Sequence, residues 1–216
     1  MGKYSDHSTY INDNKVEVPS VTTILKILNK PFIPLWANNL GWKRQSYKKV
    51  LEESAERGTF VHELMHEYLF NEGKLFDTSN PEMVNFICEN IQTIKNFQSY
   101  HDLEPIWGEK SFSSDRFGGT VDLYCNLDKK KTILDFKTSK QFYSSHFIQL
   151  GAYIQLLEEN SYEVEQVCIL RIRDGEFDLR IISRDDMDRY IELFNKLTDV
   201  FYMVYDLNQD WGDLLQ

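Results

Sequence analysis

Hydrophobic and polar positions recur with two different periods along the chain, and the change of period falls at Pro105. Upstream of Pro105, apolar residues are three to four positions apart, as on one face of a helix. The clearest cases are residues 58–70 and the stretch that begins at Pro81. Ser20 is a suitable N-cap for a short early helix, and another helix is predicted after Pro34. The first hundred residues are therefore predicted to be helical.

Beyond Pro105 the pattern indicates five strands and two helices. The strands are short apolar runs bounded by turn residues, at 105–112, 118–127, 132–138, 164–173 and 176–183. The helices are predicted over 144–158 and 186–206, the second of them capped by Asp185. Asp128 and the three lysines after it are predicted to form one hairpin turn, and Asp174-Gly175 another.

A helix between the third and fourth strands implies a crossover connection, because parallel strands cannot be joined by a tight turn. The predicted fold class is α/β, with a mixed central sheet built from an antiparallel meander plus a crossover helix and flanked by helices. A chain of 216 residues is long enough for one sizeable core. We expect a single domain over 1–216, with a helical N-terminal part over 1–104 and an α/β core over 105–216.

Composition places the chain among ordinary globular proteins, with 42% hydrophobic and 27% charged residues. No stretch approaches the roughly 20 apolar residues that cross a bilayer, and no apolar signal segment is visible at the N-terminus. Cys88, Cys125 and Cys168 are far apart in sequence, which favours reduced thiols over disulfides or a zinc or iron–sulfur site. We expect a cytoplasmic monomer, in the host cytoplasm if the chain is viral, that is neither secreted nor membrane-bound.

The net charge of −10, taken alone, argues against nucleic acid as a partner. Two segments depart from it, 41–50 and 129–140, and each carries a net charge of +4. An acidic body with two basic segments can bind a phosphate backbone locally while repelling it elsewhere. Lys43, Arg44 and Lys48 are the candidates in the first segment. The alternative is that both segments are ordinary solvated faces.

Three charged residues interrupt the apolar pattern of two neighbouring strands: Asp122 on one, and Asp135 and Lys137 on the next. Asp135 and Lys137 are two positions apart, so their side chains share a face of the sheet. Two adjacent carboxylates repel each other unless a cation lies between them, and hard oxygen ligands suit Mg²⁺ or Mn²⁺. Lys137 could orient an attacking water or stabilise charge on a phosphate. The alternative is a strand with surface salt bridges.

Several motifs follow one another in this order: Gly119-Thr120-Val121-Asp122, Ile133-Leu134-Asp135-Phe136-Lys137-Thr138, and Gln149 with Tyr153. Upstream are Arg57-Gly58-Thr59-Phe60-Val61-His62 and Pro19-Ser20-Val21-Thr22-Thr23-Ile24-Leu25, with Trp36 after them. Together they resemble the RecB-type branch of the PD-(D/E)XK nuclease superfamily, in particular the group of the mitochondrial genome maintenance exonuclease and its phage relatives. Val121 replaces the proline of the superfamily name, and the second acid is Asp.

The resemblance implies a restriction-endonuclease-like core and a role for each matching residue. His62, Asp122, Asp135 and the Phe136 carbonyl would hold the metal, and Lys137 would be the catalytic lysine. Glu109 would bind a second metal or position water, or else is an edge-strand surface charge. The residues expected to contact the nucleic acid, apart from the basic segment, are Gln149, Tyr153, Thr138, Ser139 and Lys140.

The function implied is that of a Mg²⁺- or Mn²⁺-dependent deoxyribonuclease without an iron–sulfur cluster, an exonuclease on single-stranded DNA or DNA ends. The helical first half would form a wall or archway in which segment 41–50 and aromatics such as Trp36, Trp42 and Tyr47 guide a single strand.

Two alternatives belong to other classes. His62-Glu63-Leu64-Met65-His66 matches the zinc-protease helix HExxH, with a third ligand from Glu82 or Glu89. The chain could also be an inactive nucleic-acid-binding module.

Overall fold

The computed structural model describes residues 9–28, 32–71, 73, 76 and 79–211. Within them the strands are β1 (Thr9–Ile11), β2 (Glu17–Pro19), β3 (Leu103–Ser113), β4 (Gly118–Leu127), β5 (Lys130–Lys137), β6 (Gln166–Arg173) and β7 (Glu176–Ser183). The helices are α1 (Val21–Leu25), α2 (Phe32–Trp42), α3 (Tyr47–Phe70), α4 (Pro81–Tyr100), α5 (Ser144–Glu159) and α6 (Asp188–Trp211). The domain limits expected at residues 1 and 216 lie outside the described residues.

Helices α1 and α4 begin where the sequence indicates, whereas α3 begins at Tyr47, upstream of the helical pattern at 58–70. The Ser20 hydroxyl accepts the Thr23 N–H at 3.0 Å and caps α1, as predicted. Helix α4 starts at Pro81, also as predicted. Helix α2, however, begins before Pro34 instead of after it. Pro34 lies in its first turn, where the missing N–H has no helical partner to lose.

One part of the first hundred residues is not helical, contrary to the prediction. Strands β1 and β2 form an antiparallel hairpin in which Tyr10 pairs with Val18. The Tyr10 hydroxyl lies 2.9 Å from Thr120 Oγ1, and its ring packs on Gly118, where a Cβ would collide with it. The hairpin is therefore fixed to the start of β4.

Among the described residues the main sheet has five strands in the order β3-β4-β5-β6-β7. Of the strand pairs described in this sheet, only β5–β6 is parallel, and α5 makes the crossover between these two strands. The other neighbours are antiparallel. This is the mixed α/β sheet predicted from the sequence, and it is consistent with a restriction-endonuclease-like fold.

The two hairpin turns that the sequence predicts are tight. Asp128 and Lys129 have φ of 52° and 68°, so they alone make the β4–β5 turn, while Lys130 and Lys131 belong to β5. The predicted four-residue turn was therefore too long. Asp174 and Gly175, with φ of 52° and 75°, form the predicted β6–β7 turn.

The last helix begins differently from the prediction. Asp185 is not its cap, because a 3-10 turn occupies Asp185–Met187 and α6 follows from Asp188. The Ser183 hydroxyl accepts a hydrogen bond from the Asp186 N–H at 3.3 Å and caps this turn.

Helices cover both faces of the sheet. On one face, buried residues of α1, α5 and α6 such as Ile24, Ile154 and Phe194 form one apolar cluster with the strands. On the other face, Leu64 of α3 and Phe97 of α4 belong to a second cluster. None of the described helices combines the length and the apolar character that a membrane span requires. Cys125 and Cys168 are buried thiols, and Cys88 is exposed.

Candidate functional site

Strand β4 leaves its regular ladder at Asp122. Val121 and Leu123 pair with β3, and Leu123 also pairs with β5, but Asp122 has no backbone partner on either side in the described registers. Its carboxylate Oδ2 instead accepts the backbone N–H of Phe136 at 2.9 Å. A side-chain acceptor thus replaces a ladder bond, and it holds Asp122 against the segment between Asp135 and Lys137.

Asp135 and Lys137 make a close ion pair at the carboxyl end of β5. The Lys137 Nζ lies 2.6 Å from Asp135 Oδ2, and the side chains are only 17% and 1% exposed. The contact agrees with the expectation that both point to the same face. Neither Asp135 oxygen receives a hydrogen bond of good geometry within the described part of the chain. The carboxylate therefore keeps lone pairs free for another ligand.

His62 reaches the same cluster from α3. Its Nδ1 lies 3.3 Å from Asp122 Oδ2, and its ring stands edge-on to Phe136 at 6.1 Å between centroids. One turn earlier, Gly58 brings the helix backbone against Thr138, since a Cβ there would lie 3.4 Å from Thr138 Oγ1. This approach places His62 over the strand pair.

Burial and the neighbouring opposite charges shift the pKa values of the cluster in opposite directions. Burial raises the pKa of Asp135 to about 6, against the lowering effect of Lys137. Burial also disfavours ionised Asp122, but His62 and Lys137 outweigh it and hold the pKa of Asp122 below its usual value. Burial disfavours the Lys137 ammonium, yet Asp135 and Asp122 raise its pKa. One buried carboxylate, Asp135, and one half-buried carboxylate, Asp122, are therefore balanced by positive charge beside them.

The chemistry of these residues fits a hard divalent cation. Carboxylate oxygens of two aspartates with a neighbouring imidazole suit Mg²⁺ or Mn²⁺, and the Asp135 oxygens lack hydrogen-bond partners among the described residues. In the arrangement described, no three His, Cys, Asp or Glu side chains of the described residues are gathered closely enough to hold a metal. The Lys137 ammonium is the positive charge next to Asp135.

Glu109 lies opposite Asp122 in the β3–β4 register but on the exposed edge strand. Its φ of 47° is unusual for a residue with a side chain and coincides with the unpaired Asp122. The register brings Glu109 next to Asp122 along the sheet. The described contacts do not bind it into the cluster.

Gln149 and Tyr153 lie on α5, as expected, and interact with each other. Gln149 Nε2 donates to the Tyr153 hydroxyl at 2.7 Å. Burial raises the pKa of Tyr153 well above its usual value, and the charges of Asp122 and Asp135 add to the effect. Gly119 makes this packing possible, because a Cβ there would lie 2.7 Å from the Tyr153 ring.

A cavity of about 580 Å³ adjoins the cluster. His62, Lys137 and the three predicted phosphate-contact residues line it: Thr138, Ser139 and Lys140. Arg57 and Arg173 line it as well, although the sequence pattern assigned them no role. Arg57 could have been found from sequence, since it precedes Gly58 in the motif. Arg173 could not, because nothing in its strand pattern sets it apart.

The basic segment is separate from this cavity. Lys43, Arg44 and Lys48 are all exposed at the α2–α3 junction, and none of them lines it. Trp42 beside them is 83% exposed. Tyr47 is also exposed, whereas Trp36 is half-buried.

The two histidines of the HExxH match have different neighbours. His66 packs against Phe70 at 4.8 Å between ring centroids and lies over Gly108, where a Cβ would meet its ring at 2.7 Å. Glu63 lines a different cavity from His62. Among the described contacts, His62 therefore belongs to the Asp122 cluster and His66 packs against Phe70, and the zinc-protease site stays a prediction of the sequence.

No protein-family model matches the chain, and no curated protein sequence matches it. Solved structures give weak likenesses. A phage-related exonuclease from Haemophilus somnus 129PT shares 15% identity over 69% of this chain and 82% of its own, with a TM-score of 0.37. LHK-Exo in complex with dAMP shares 11% identity over 72% of this chain and 85% of its own, with a TM-score of 0.39.

A third structure, of SSO0001, shares 14% identity over 55% of this chain, with a TM-score of 0.29. The chain spans only 62% of SSO0001. With scores this low, none of these likenesses supports a conclusion about activity. Any functional assignment has to rest on the residues of the site.

Proposed function

We propose that this protein is a nuclease of the RecB type that hydrolyses phosphodiester bonds in DNA with the help of Mg²⁺ or Mn²⁺. The observation that carries the proposal is the group of Asp122, Asp135, Lys137 and His62 beside an open cavity, in which Asp135 is buried and the other three side chains are half-buried. Buried ionised groups are costly to maintain, so a cluster of this kind favours catalysis over a surface salt bridge.

Each residue has a chemical task in this proposal. Asp122, Asp135 and His62 would hold the cation, with the Phe136 carbonyl as a further ligand. When bound, the cation polarises the phosphate and lowers the pKa of a water molecule. Lys137 forms an ion pair with Asp135, and its ammonium can donate to a phosphate oxygen, which stabilises the negative charge that develops there.

Other residues would contact the substrate around this centre. Gln149 and Tyr153 stand next to the carboxylates and offer an amide and a hydroxyl to a phosphate or nucleotide. Thr138, Ser139 and Lys140 line the adjoining cavity. Glu109 is proposed to act from the neighbouring strand on a second metal or a water. Segment 41–50, with exposed Trp42, would guide a single strand by charge and stacking.

We propose that the enzyme is an exonuclease acting on single strands or DNA ends. The test uses end-labelled linear single-stranded and double-stranded DNA, circular single-stranded DNA, and RNA, each with Mg²⁺, Mn²⁺ or EDTA. We expect linear single-stranded DNA to be degraded only with a divalent cation, and the circle to resist.

Three results would contradict parts of this proposal. Cleavage of the circle would show an endonuclease, and equal cleavage of RNA would remove the preference for DNA. Failure to cut any of these substrates with either cation would overturn the nuclease assignment and favour a binding module.

A further inference from the structure

The cavity beside the cluster lies outside the carboxyl ends of β5 and β6, the parallel pair of the sheet. Crevices at this edge are where α/β sheets commonly bind ligands. Helices α3 and α4 form two of its walls, and the loop after β5 forms a third. Its volume of about 580 Å³ suits a small organic ligand.

The lining of the cavity is positive although the chain as a whole is acidic. Four cationic side chains face two carboxylates, whereas the net charge of the chain is −10. The cations are Arg57, Lys137, Lys140 and Arg173, and the carboxylates are Glu89 and Asp174. Asp174 already accepts a hydrogen bond from Arg173 Nε at 2.9 Å, and Lys137 is paired with Asp135, so the excess positive charge comes from Arg57 and Lys140. A concave site with an excess of positive charge attracts an anion.

Arg57 is the cation best prepared for that anion. Its guanidinium lies over the Phe86 ring, with Cζ 4.4 Å from the ring centroid. It has no hydrogen bond or ion pair to any other described residue, unlike Arg173, which is paired with Asp174. Stacking holds the guanidinium plane and leaves its N–H edges free, and a guanidinium matches a phosphate in two parallel hydrogen bonds.

Apart from polar side chains such as Ser54, Asn90 and Ser139, the remaining lining is largely apolar or aromatic. Leu51, Ala55 and Ile172 contribute aliphatic surface, and Phe86 and Tyr143 contribute rings. A nucleobase stacks favourably on such a surface. The cavity therefore combines a phosphate-binding edge with a wall for a base.

We propose that this cavity binds a single nucleotide, with Arg57 holding the phosphate and the apolar wall receiving the base. In a nuclease, this nucleotide would be the one next to the scissile bond, and that role rests on the proposed function. The binding itself does not, so it is tested without cleavage.

The test is calorimetric titration of metal-free protein in EDTA with a deoxynucleoside monophosphate, inorganic phosphate or the deoxynucleoside. We expect the monophosphate to bind at least about tenfold more tightly than either fragment, because each fragment lacks either the stacking or the charged hydrogen bonds. Equal binding of inorganic phosphate and the nucleotide would overturn the proposal.

Two matched arginine variants locate the site. Arg57→Ala should weaken nucleotide binding by about tenfold or more, and Arg57→Lys should weaken it less. Arg189 is also stacked on a ring, 4.7 Å above Tyr190, but lies outside the cavity, so Arg189→Ala should bind as the wild type does. Both arginines are exposed, so the variants should fold, which thermal melting checks. Unchanged binding by Arg57→Ala would overturn the proposal.

A further variant separates this proposal from the proposed function. Asp122→Asn should lose cleavage and keep nucleotide binding, and loss of both would place the nucleotide at the catalytic centre instead. If no nucleic acid is cut but nucleotide binding depends on Arg57, the nucleotide site stands and the nuclease fails. If DNA is cut but Arg57→Ala changes neither nucleotide affinity nor KM, the nuclease stands and the nucleotide site fails.

Discussion

The carboxyl end of β5 and the basic segment 41–50 both carry positive charge, but they are built in opposite ways. Lys137 is 17% exposed and paired with a buried carboxylate, and the neighbouring strands hold it in place. The basic segment spans the end of α2 and the start of α3, and α2 has no buried residue among those described. Its four cations are exposed, and the ion pair that Lys49 makes with Glu53 at 3.7 Å is exposed as well. The first arrangement suits chemistry at one fixed atom, and the second suits loose attraction of a long polyanion.

The largest effect is expected from removal of Lys137, with an exposed lysine of the same strand as the control. Lys137→Ala should lower the cleavage rate by about 10³-fold, because a charge aimed at the reacting phosphate is removed. DNA affinity should persist in a filter-binding assay. Lys130→Ala removes an exposed lysine from the far end of β5 and should leave both properties unchanged. Cleavage by Lys137→Ala near the wild-type rate would disprove the mechanism.

Glycine replacements test the difference in packing. Gly119→Ala should lower the free energy of unfolding by about 1–3 kcal/mol, because the new Cβ would meet the Tyr153 ring at 2.7 Å. Gly41, in α2, has nothing within 4 Å of an added Cβ. Gly41→Ala should therefore stabilise the helix slightly, by about 0.5–1 kcal/mol. Chemical denaturation measures both, and equal effects would mean that the two regions are packed alike.

The basic segment should influence binding and leave the chemical step unchanged. Replacing Lys43, Arg44 and Lys48 together by Ala should raise KM for single-stranded DNA about tenfold and leave kcat unchanged. The slope of log affinity against log salt should become shallower by about 2, roughly 0.7 for each phosphate that the variant no longer neutralises. Replacing Lys95 and Lys196, which are exposed elsewhere, provides the control. A fall in kcat with constant KM would contradict this prediction, because it would assign segment 41–50 to the chemical step and not to binding.

The smallest effect is expected at the remote end of the β4–β5 hairpin. Asp128 Oδ2 lies 2.8 Å from His101 Nδ1, and this hydrogen bond lowers the pKa of Asp128. Its stabilising effect is therefore present above the usual pKa of an aspartate and is lost as the pH falls through the lowered value. Asp128→Asn should cost at most about 0.5 kcal/mol at neutral pH, since the pair is exposed. Denaturation at pH 7 and pH 3 should show the difference shrinking, with cleavage unaffected.

The sequence indicated the main sheet because its strands are long and bounded by clear turn residues. Asp174-Gly175 is such a signal, and the structure confirms the turn there. The β1–β2 hairpin was missed because each strand has only three residues, too few to show a period. Asp185 was misread as a cap, because the pattern does not distinguish a 3-10 turn from the start of the helix.

In the site, too, features of a single strand can be predicted from the sequence, whereas contacts between separate elements cannot. Asp122, Asp135 and Lys137 broke an apolar pattern, and that break is visible in sequence. The unpaired backbone at Asp122 is not visible in the sequence, because it depends on the hydrogen bond from Phe136 N–H to the Asp122 side chain, which forms only when β4 and β5 are neighbours. The stack of Arg57 on Phe86 joins two helices, and no periodicity connects them.

The contact between Tyr10 and the start of β4 has a practical consequence for work with this protein. Tyr10 bonds Thr120, two residues before Asp122 on the same strand. A shortened form that begins after the β1–β2 hairpin would lack this support, and it would also leave the backbone at Gly118 uncovered. A shortened form should therefore retain the chain from at least Thr9 onward. Low activity in a form that begins later would reflect a disturbed β4 strand and would not test the proposed catalytic residues.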